Sequence, residues 1–171
     1  MHRSGAGGWS RGVGEKYLLL LIGVDQDAPS AGPPEIAEKL LDAVSPGARV
    51  AWIGKDDPAC FPASLAARLA GRADVVFGNG GERAWLEGRR SSPRPNAQVL
   101  FETRGADGVL VETGSECFEQ AVTHMRVSDA TGAGDTFAGA VLGVLAGGGS
   151  TRSAALAGVE AAAALLALRA G

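Results

Sequence analysis

The sequence contains few cysteine, histidine and aromatic residues, and each shortage excludes a class of function. Of its 171 residues, two are cysteines and two are histidines, and Cys60, Cys117, His2 and His124 lie far apart. Such spacing gives neither a C-x-x-C pair nor a Cys/His cluster, so we expect a reduced cytoplasmic protein without a structural metal or a histidine-based active site. Aromatic residues make up only 5% of the chain, whereas glycine accounts for 26 residues, so the helices are expected to pack through small side chains.

The sequence also lacks a large excess of either charge. Its formal net charge is −3, and it has no basic stripe of the kind that nucleic-acid binding needs. The apolar run at residues 17–24 is too short to span a membrane, and Asp25 follows it where a signal peptide would have a small-residue cleavage site. We therefore expect neither nucleic acid nor a membrane as a partner, and we interpret the run as a buried first strand.

Strand and helix patterns alternate along the chain from residue 17. Short apolar runs predict strands at residues 17–23, 49–53, 73–77, 99–102 and 109–111, with two more short strands within residues 117–127. Helical spacing predicts helices that begin near Pro33, Pro62, Glu82, Ala133 and Thr151. This alternation is typical of an α/β domain, a three-layer α/β/α sandwich with a largely parallel sheet. Residues 1–16 have no periodicity and are expected to be disordered, or an artefact of where the chain begins.

A glycine-rich segment lies between a predicted strand and a predicted helix. Gly132, Ala133 and Gly134 stand where the helix should begin, and such small residues let an anion approach the unpaired backbone N–H groups. Asp135 follows in the first helical turn, where a carboxylate would repel a bound phosphate. Its simplest role is to take a proton from a hydroxyl that attacks the phosphate. The G-x-x-x-G spacing at residues 139–143 also predicts close packing of this helix against a neighbour.

Residues 129–140, with the sequence DATGAGDTFAGA, resemble the second signature of the PfkB family of carbohydrate kinases, which have the ribokinase-like fold. Three further segments resemble family motifs in order and spacing. Residues 79–82 match its N-x-x-E, residues 103–108 match its T-x-G-x-x-G nucleotide turn, and residues 157–171 are similar to the helix beside the adenine. The resemblance covers roughly residues 17–171 and corresponds only to the C-terminal half of such a kinase, without its N-terminal part and its small β lid.

The resemblance implies a catalytic role for the start of the predicted helix. Asp135 would be the catalytic base on the acceptor hydroxyl, and the N–H groups of Gly132, Ala133 and Gly134 would form the anion hole for the transferring phosphoryl group. This agrees with the analysis of the residues alone, because phosphoryl transfer depends mainly on positioning and charge stabilisation. The implied activity is that of an ATP-dependent phosphotransferase acting on an alcohol group of a sugar or nucleoside.

The resemblance also implies a nucleotide site and metal sites. Asn79 and Glu82 would organise Mg²⁺, an ion that prefers hard oxygen ligands. The residues implied to contact ATP are Asn79, Thr103, Arg104, Gly105, Gly108 and Glu160, the last of them beside the adenine. Asp129 and Thr131 match positions that bind a monovalent cation in some members of the family.

Each of these assignments has a plain structural alternative. Asn79 and Glu82 also suit a turn followed by the start of a helix. Residues 103–108 also suit a hairpin turn, and Glu160 also suits a solvated helix position. The paired carboxylates at residues 56–57 are interpreted as a solvated loop rather than as a metal site.

The function has two interpretations at this stage. In the first, the chain is the nucleotide half of an ATP-dependent kinase. In the second, it is a catalytically inactive relic of such a kinase that binds a nucleotide or a partner. Loss of strands from the sheet would expose apolar surface, which favours a homo-oligomer. The acceptor is left open between a sugar and a nucleoside, because the acceptor-binding residues of the family lie mostly in the part without a counterpart here.

Overall fold

The structure is a computed structural model that describes residues 34–45, 47–54, 61–90, 93–125, 127 and 129–170. The described helices are α1 (Pro34–Ala43), α2 (Ala63–Arg72), α3 (Gly80–Glu87), α4 (Ala133–Ala146) and α5 (Thr151–Arg169). The described strands are β1 (Ala51–Ile53), β2 (Val75–Asn79), β3 (Val99–Thr103), β4 (Val109–Glu112) and β5 (Cys117–Gln120), and a 3₁₀ turn spans Gly105–Asp107. The predictions for residues 1–16, 17–23 and 56–57 lie outside the described residues.

The five strands form one sheet in the order β1-β2-β3-β4-β5. The first three strands are parallel to one another, β4 is antiparallel to β3, and β5 is antiparallel to β4. Since β5 therefore runs in the direction of β3, four of the five strands point the same way. The predicted α/β fold with a largely parallel sheet is confirmed. Of the two short strands predicted within residues 117–127, only β5 is present among the described residues, so the second one is wrong.

Helices cover both faces of the sheet and bury one apolar cluster on each. One cluster packs the sheet against α2 and α3, and the other packs it against α4 and α5. The scarce aromatic residues concentrate in these clusters. The first face holds Trp52, Phe61 and Trp85, and the second holds Phe77, Phe101 and Phe137, with ring centroids 5.3–6.5 Å apart. Few aromatic residues suffice because three are grouped on each side of the sheet, where they bury large areas.

Helices α4 and α5 approach each other closely at a glycine of α5. A Cβ atom at Gly158 would lie 2.6 Å from two ring carbons of Phe137 and 2.7 Å from a methyl group of Val141. Gly139 and Gly143 are exposed, and a Cβ atom there would meet no described atom within 4 Å. The prediction that the G-x-x-x-G spacing marks a packing face is therefore wrong, because both of its glycines lie on the solvent side of α4.

Helix α5 is the one described helix that is long and apolar enough, by length and composition, to cross a membrane. In the structure, Ala154, Ala155, Gly158 and Val159 are buried, and three of them belong to the core cluster shared with α4 and the sheet. Many other positions of this helix are alanine or leucine, which accounts for its mean hydropathy of 1.3. One face of α5 is thus part of the core of this α/β fold.

Candidate active site

Several predicted site residues lie at one edge of the sheet. Thr103 at the end of β3 pairs with Asn79 at the end of β2 and with Val109 at the beginning of β4. Val109 in turn pairs with Gln120 at the end of β5. The 3₁₀ turn connects β3 to β4 at this same edge. Ligands of open α/β sheets bind at the carboxyl ends of the strands, so a ligand site is expected at this edge.

The start of α4 has the backbone geometry of a tight turn. Gly132 has φ 77° and ψ −3°, a left-handed conformation that strains other residues. Its carbonyl accepts a hydrogen bond from the N–H of Thr136 at 2.9 Å, whereas the N–H of Ala133 donates to the carbonyl of Ala130 at 3.1 Å. Ala133 is thus engaged within the turn, and Gly134 and Asp135 carry the next N–H groups of the first helical turn, which have no intrahelical acceptor.

The first turn of α4 separates a solvent-facing acid from a buried anchor. Asp135 is exposed, whereas Phe137 is buried. The ring of Phe137 packs edge-on against Phe77 and Phe101, at centroid distances of 6.1 and 6.0 Å. These contacts fix the start of α4 against the sheet and leave the carboxylate of Asp135 accessible to a second reactant.

A cavity of about 310 Å³ lies between the start of α4, helix α5, the turn after β3, and the residues Val122, Thr123, Met125 and Val127. Its volume is near the lower end of the range for small-molecule sites. Five of the predicted site residues line it: Thr103, Gly105, Gly108, Ala133 and Gly134. The structure therefore brings the glycine-rich turn after β3 and the start of α4 together at one cavity, although they are distant in sequence.

Other predicted site residues do not line this cavity. They are Asn79, Glu82, Arg104, Gly132, Asp135 and Glu160. The guanidinium of Arg104 pairs with Glu102 and Glu119, each at 2.8 Å. Glu160 is exposed on α5. For Arg104 and Glu160, these positions agree with the structural alternatives rather than with a direct contact to a molecule in the cavity.

Asn79 and Glu82 form a reciprocal capping box at the start of α3. Asn79 Oδ1 accepts a hydrogen bond from the N–H of Glu82 at 2.9 Å, and Glu82 Oε2 accepts one from the N–H of Asn79 at 2.7 Å. The helix-start alternative is therefore present. An amide oxygen has two lone pairs and a carboxylate has two oxygens, so these donors fit Mg²⁺ in kind, with phosphate oxygens and water completing its shell. Among the described residues, no three His, Cys, Asp or Glu side chains converge as a metal site.

Arg169, near the end of α5, binds the loop before α4. Its guanidinium lies 3.3 Å from Asp129 Oδ2 and donates to the carbonyl of Thr131. The other oxygen of Asp129 accepts a hydrogen bond from the N–H of Thr131 at 2.9 Å. Hydrogen bonds from Thr131, together with the charge of Arg169, hold the pKa of Asp129 below its ordinary value. The two residues that resemble a monovalent-cation site thus already contact a cationic side chain.

A buried charge network, which the sequence analysis missed, lies beside this edge of the sheet. Glu102 on β3 is buried and accepts hydrogen bonds from Arg83 at 2.6 Å and Arg104 at 2.8 Å. Arg83 also pairs with Glu112, which is bound by Arg94 as well. The sequence does contain a signal for this network, which is the position of a carboxylate within an otherwise apolar strand. A buried charge is stable only with ion-pair or hydrogen-bond partners.

Comparisons with known proteins identify the family and the fold of this chain. A family model described as pfkB family carbohydrate kinase matches residues 53–170. No curated protein matches the chain.

Among solved structures, the nucleoside kinase of Methanocaldococcus jannaschii superimposes with a TM-score of 0.71 at 18% identity, covering 88% of this chain and 49% of that one. A mutant of phosphofructokinase-2 from Escherichia coli gives 0.68 at 19% identity, with 91% and 52% covered. Aminoimidazole riboside kinase from Salmonella enterica, in complex with aminoimidazole riboside and an ATP analog, gives 0.57 at 22% identity, with 78% and 50% covered. These likenesses show the fold, and the chain spans about half the length of each structure.

Proposed function

Because the chain belongs to the pfkB family of carbohydrate kinases, we propose that it binds Mg-ATP at the cavity beside α4 and transfers the γ-phosphoryl group to an alcohol of a sugar or nucleoside. The observation that carries the proposal is the meeting of two motifs at one cavity. Thr103, Gly105 and Gly108 line it from the turn after β3, and Ala133 and Gly134 line it from the start of α4. The nucleotide would lie along the turn, with its phosphates directed to the helix start.

The residues at the start of α4 would provide the chemistry. The N–H groups of Gly134 and Asp135 and the positive end of the helix dipole would stabilise the charge of the transferring phosphoryl group. Asp135 would take the proton of the acceptor hydroxyl as the oxygen attacks phosphorus. Its exposure in the first helical turn leaves room for such an acceptor beside it.

Asn79 and Glu82 would hold the metal through their oxygens or through intervening water. Mg²⁺, when bound, would neutralise part of the phosphate charge. The capping box fixes both side chains at the end of β2, where Asn79 pairs in register with Thr103. In this way the metal-binding residues and the nucleotide turn would share one rigid edge of the sheet.

A second candidate is nucleotide binding without efficient transfer. The chain spans about half of the kinases that it resembles in structure, so an acceptor site built from the other half would not be part of these residues. Under this alternative the chain binds Mg-ATP and phosphorylates no acceptor efficiently.

One experiment separates the two candidates. ADP release from Mg-ATP is measured with a panel of sugars and nucleosides, for the wild-type chain and for Asp135→Asn. If the chain is a kinase, at least one acceptor gives turnover, and Asp135→Asn lowers kcat by roughly 100-fold or more with little change in nucleotide affinity. Asp42→Asn, which changes an exposed carboxylate on α1, a helix packed in the cluster on the other face of the sheet from α4, is the matched control and should leave kcat unchanged.

Near-normal turnover by Asp135→Asn would remove Asp135 as the base. Nucleotide binding without turnover for any acceptor would favour the second candidate.

A further inference from the structure

In the part of the chain that the structure describes, few side chains of the cavity wall could form hydrogen bonds with a nucleobase. Among the described residues that line it, only Thr103 and Thr123 carry a polar side-chain oxygen or nitrogen, and none carries a charge. The hydroxyl of Thr103 lies 3.5 Å from the carbonyl of Gly78 on the neighbouring strand. The rest of the wall is glycine, alanine, valine, leucine, methionine and phenylalanine.

Two charged side chains that the resemblance places at the nucleotide, Arg104 and Glu160, do not line the cavity. Glu160 is exposed and does not line the cavity, although its neighbours Val159 and Ala162 on α5 do. Arg104 lies beside Gly105 but is held by Glu102 and Glu119. Neither side chain is placed to bind the exocyclic groups that distinguish one base from another.

Part of the wall is open to water. Gly105, Ala106, Thr123 and Ala130 line the cavity, and all four are exposed. A flat ring could therefore pack against the apolar side of the cavity while its polar edge stays hydrated. Burial of apolar area is not directional, so it stabilises the binding of any base that is large enough to cover the apolar side of the cavity.

We infer that this site selects its phosphoryl donor by the size and flatness of the base and not by a hydrogen-bond pattern, so that adenine and guanine nucleotides bind with affinities within about tenfold of each other. The inference rests on the proposed nucleotide site. An apolar pocket cannot strongly reject a similar-sized molecule that differs in a polar group, whereas a site with matched hydrogen bonds discriminates by roughly 10⁴-fold or more. Cytosine nucleotides bury less apolar surface and should bind more weakly than either purine.

The test is a competition experiment on the wild-type chain. A fluorescent ADP analogue is bound in the presence of Mg²⁺ and then displaced by ADP, GDP, CDP or pyrophosphate, with the ionic strength held constant. We expect ADP and GDP to displace it with inhibition constants within about tenfold, CDP to be weaker than both, and pyrophosphate to be more than roughly tenfold weaker than ADP.

Any of three other results would overturn the inference. If ADP binds more than about tenfold tighter than GDP, the site recognises polar groups of the base. The inference then fails, while the proposed nucleotide site stands. If pyrophosphate competes as well as ADP, the phosphates alone provide the affinity and the cavity does not hold the base. If no nucleotide displaces or binds the probe, the proposed function fails together with the inference.

Discussion

Glu102 is a buried carboxylate on β3 that stays charged because of its two arginine partners. Burial alone would raise its pKa, but the hydrogen bonds from Arg83 and Arg104 outweigh burial, so the pKa lies below its ordinary value. A carboxyl group with a lowered folded-state pKa stabilises the fold above its unfolded pKa of about 4.3. That contribution is lost as the pH falls through the lowered folded-state value.

We predict that Glu102→Gln lowers the free energy of unfolding by about 2 kcal/mol at pH 7, because two arginine contacts lose their charged partner. The deficit relative to wild type should shrink below about pH 4 as the wild-type carboxylate becomes protonated. Urea unfolding at pH 7 and at successively lower pH measures both effects. Glu119→Gln, which removes the exposed partner of Arg104, is the control and should change stability little.

An equal deficit at every pH would contradict this account of Glu102. So would an equally large effect of the control variant.

Single residues also show which contacts can be predicted from the sequence and which cannot. The short spacing from Asn79 to Glu82 suggested a helix start, and the structure has a full capping box there. The contact of Arg169 with Asp129 joins residues 40 positions apart, and no local pattern encodes such a pair. Local hydrogen bonds follow from spacing along the chain, whereas ion pairs between elements follow from the packing of those elements.

At the scale of elements, α4 and α5 meet through Phe137 and Gly158. The ring of Phe137 is enclosed by Phe77 and Phe101 on the sheet side and by the backbone of α5 at Gly158. Helix α5 therefore sets how closely the start of α4 lies on the sheet, and with it one wall of the cavity.

We predict that Gly158→Ala destabilises the protein by about 1 kcal/mol or more. A methyl group 2.6 Å from the ring of the buried Phe137 costs about 1–3 kcal/mol, which exceeds the gain of up to about 1 kcal/mol in helix propensity. Gly143→Ala on the exposed side of α4 is the matched control, and it should be neutral or stabilising by up to about 1 kcal/mol. Thermal and urea unfolding of both variants give the comparison, and a Gly158→Ala protein as stable as Gly143→Ala would refute the close contact.

The order of elements was largely predictable from the sequence, but the packing faces were not. Apolar runs and helical spacing predicted β1 to β5 and α1 to α5, because strand and helix periods differ. The G-x-x-x-G spacing of α4 pointed to the wrong face, since a spacing does not say which side of a helix is covered. Gly158 has no such spacing partner, and its role depends on the ring that faces it from another helix.

At the scale of the whole molecule, the cavity is assembled from four separate parts of the chain. The turn after β3 and the start of α4 were expected from the resemblance to a kinase family, and they do meet. The contributions of Val122, Thr123, Met125 and Val127 were not expected, whereas Ala163 and Leu166 lie on the helix that the resemblance places beside the adenine. Those first four residues lie in a segment without a motif, so only the folded arrangement identifies them as cavity wall.

The central claim is that a nucleotide occupies this cavity, and a pair of alanine positions on α5 tests it most directly. Ala163 lines the cavity, whereas the adjacent Ala164 is exposed and does not. Ala163→Trp should fill the cavity and weaken the binding of Mg-ADP, measured by calorimetric titration, by more than roughly tenfold, because a large ring then occupies the volume needed by the base. Ala164→Trp should bind Mg-ADP as wild type does, with both variants shown to be folded by circular dichroism. Unchanged Mg-ADP affinity in a folded Ala163→Trp variant, or equal losses in the two variants, would contradict the claim.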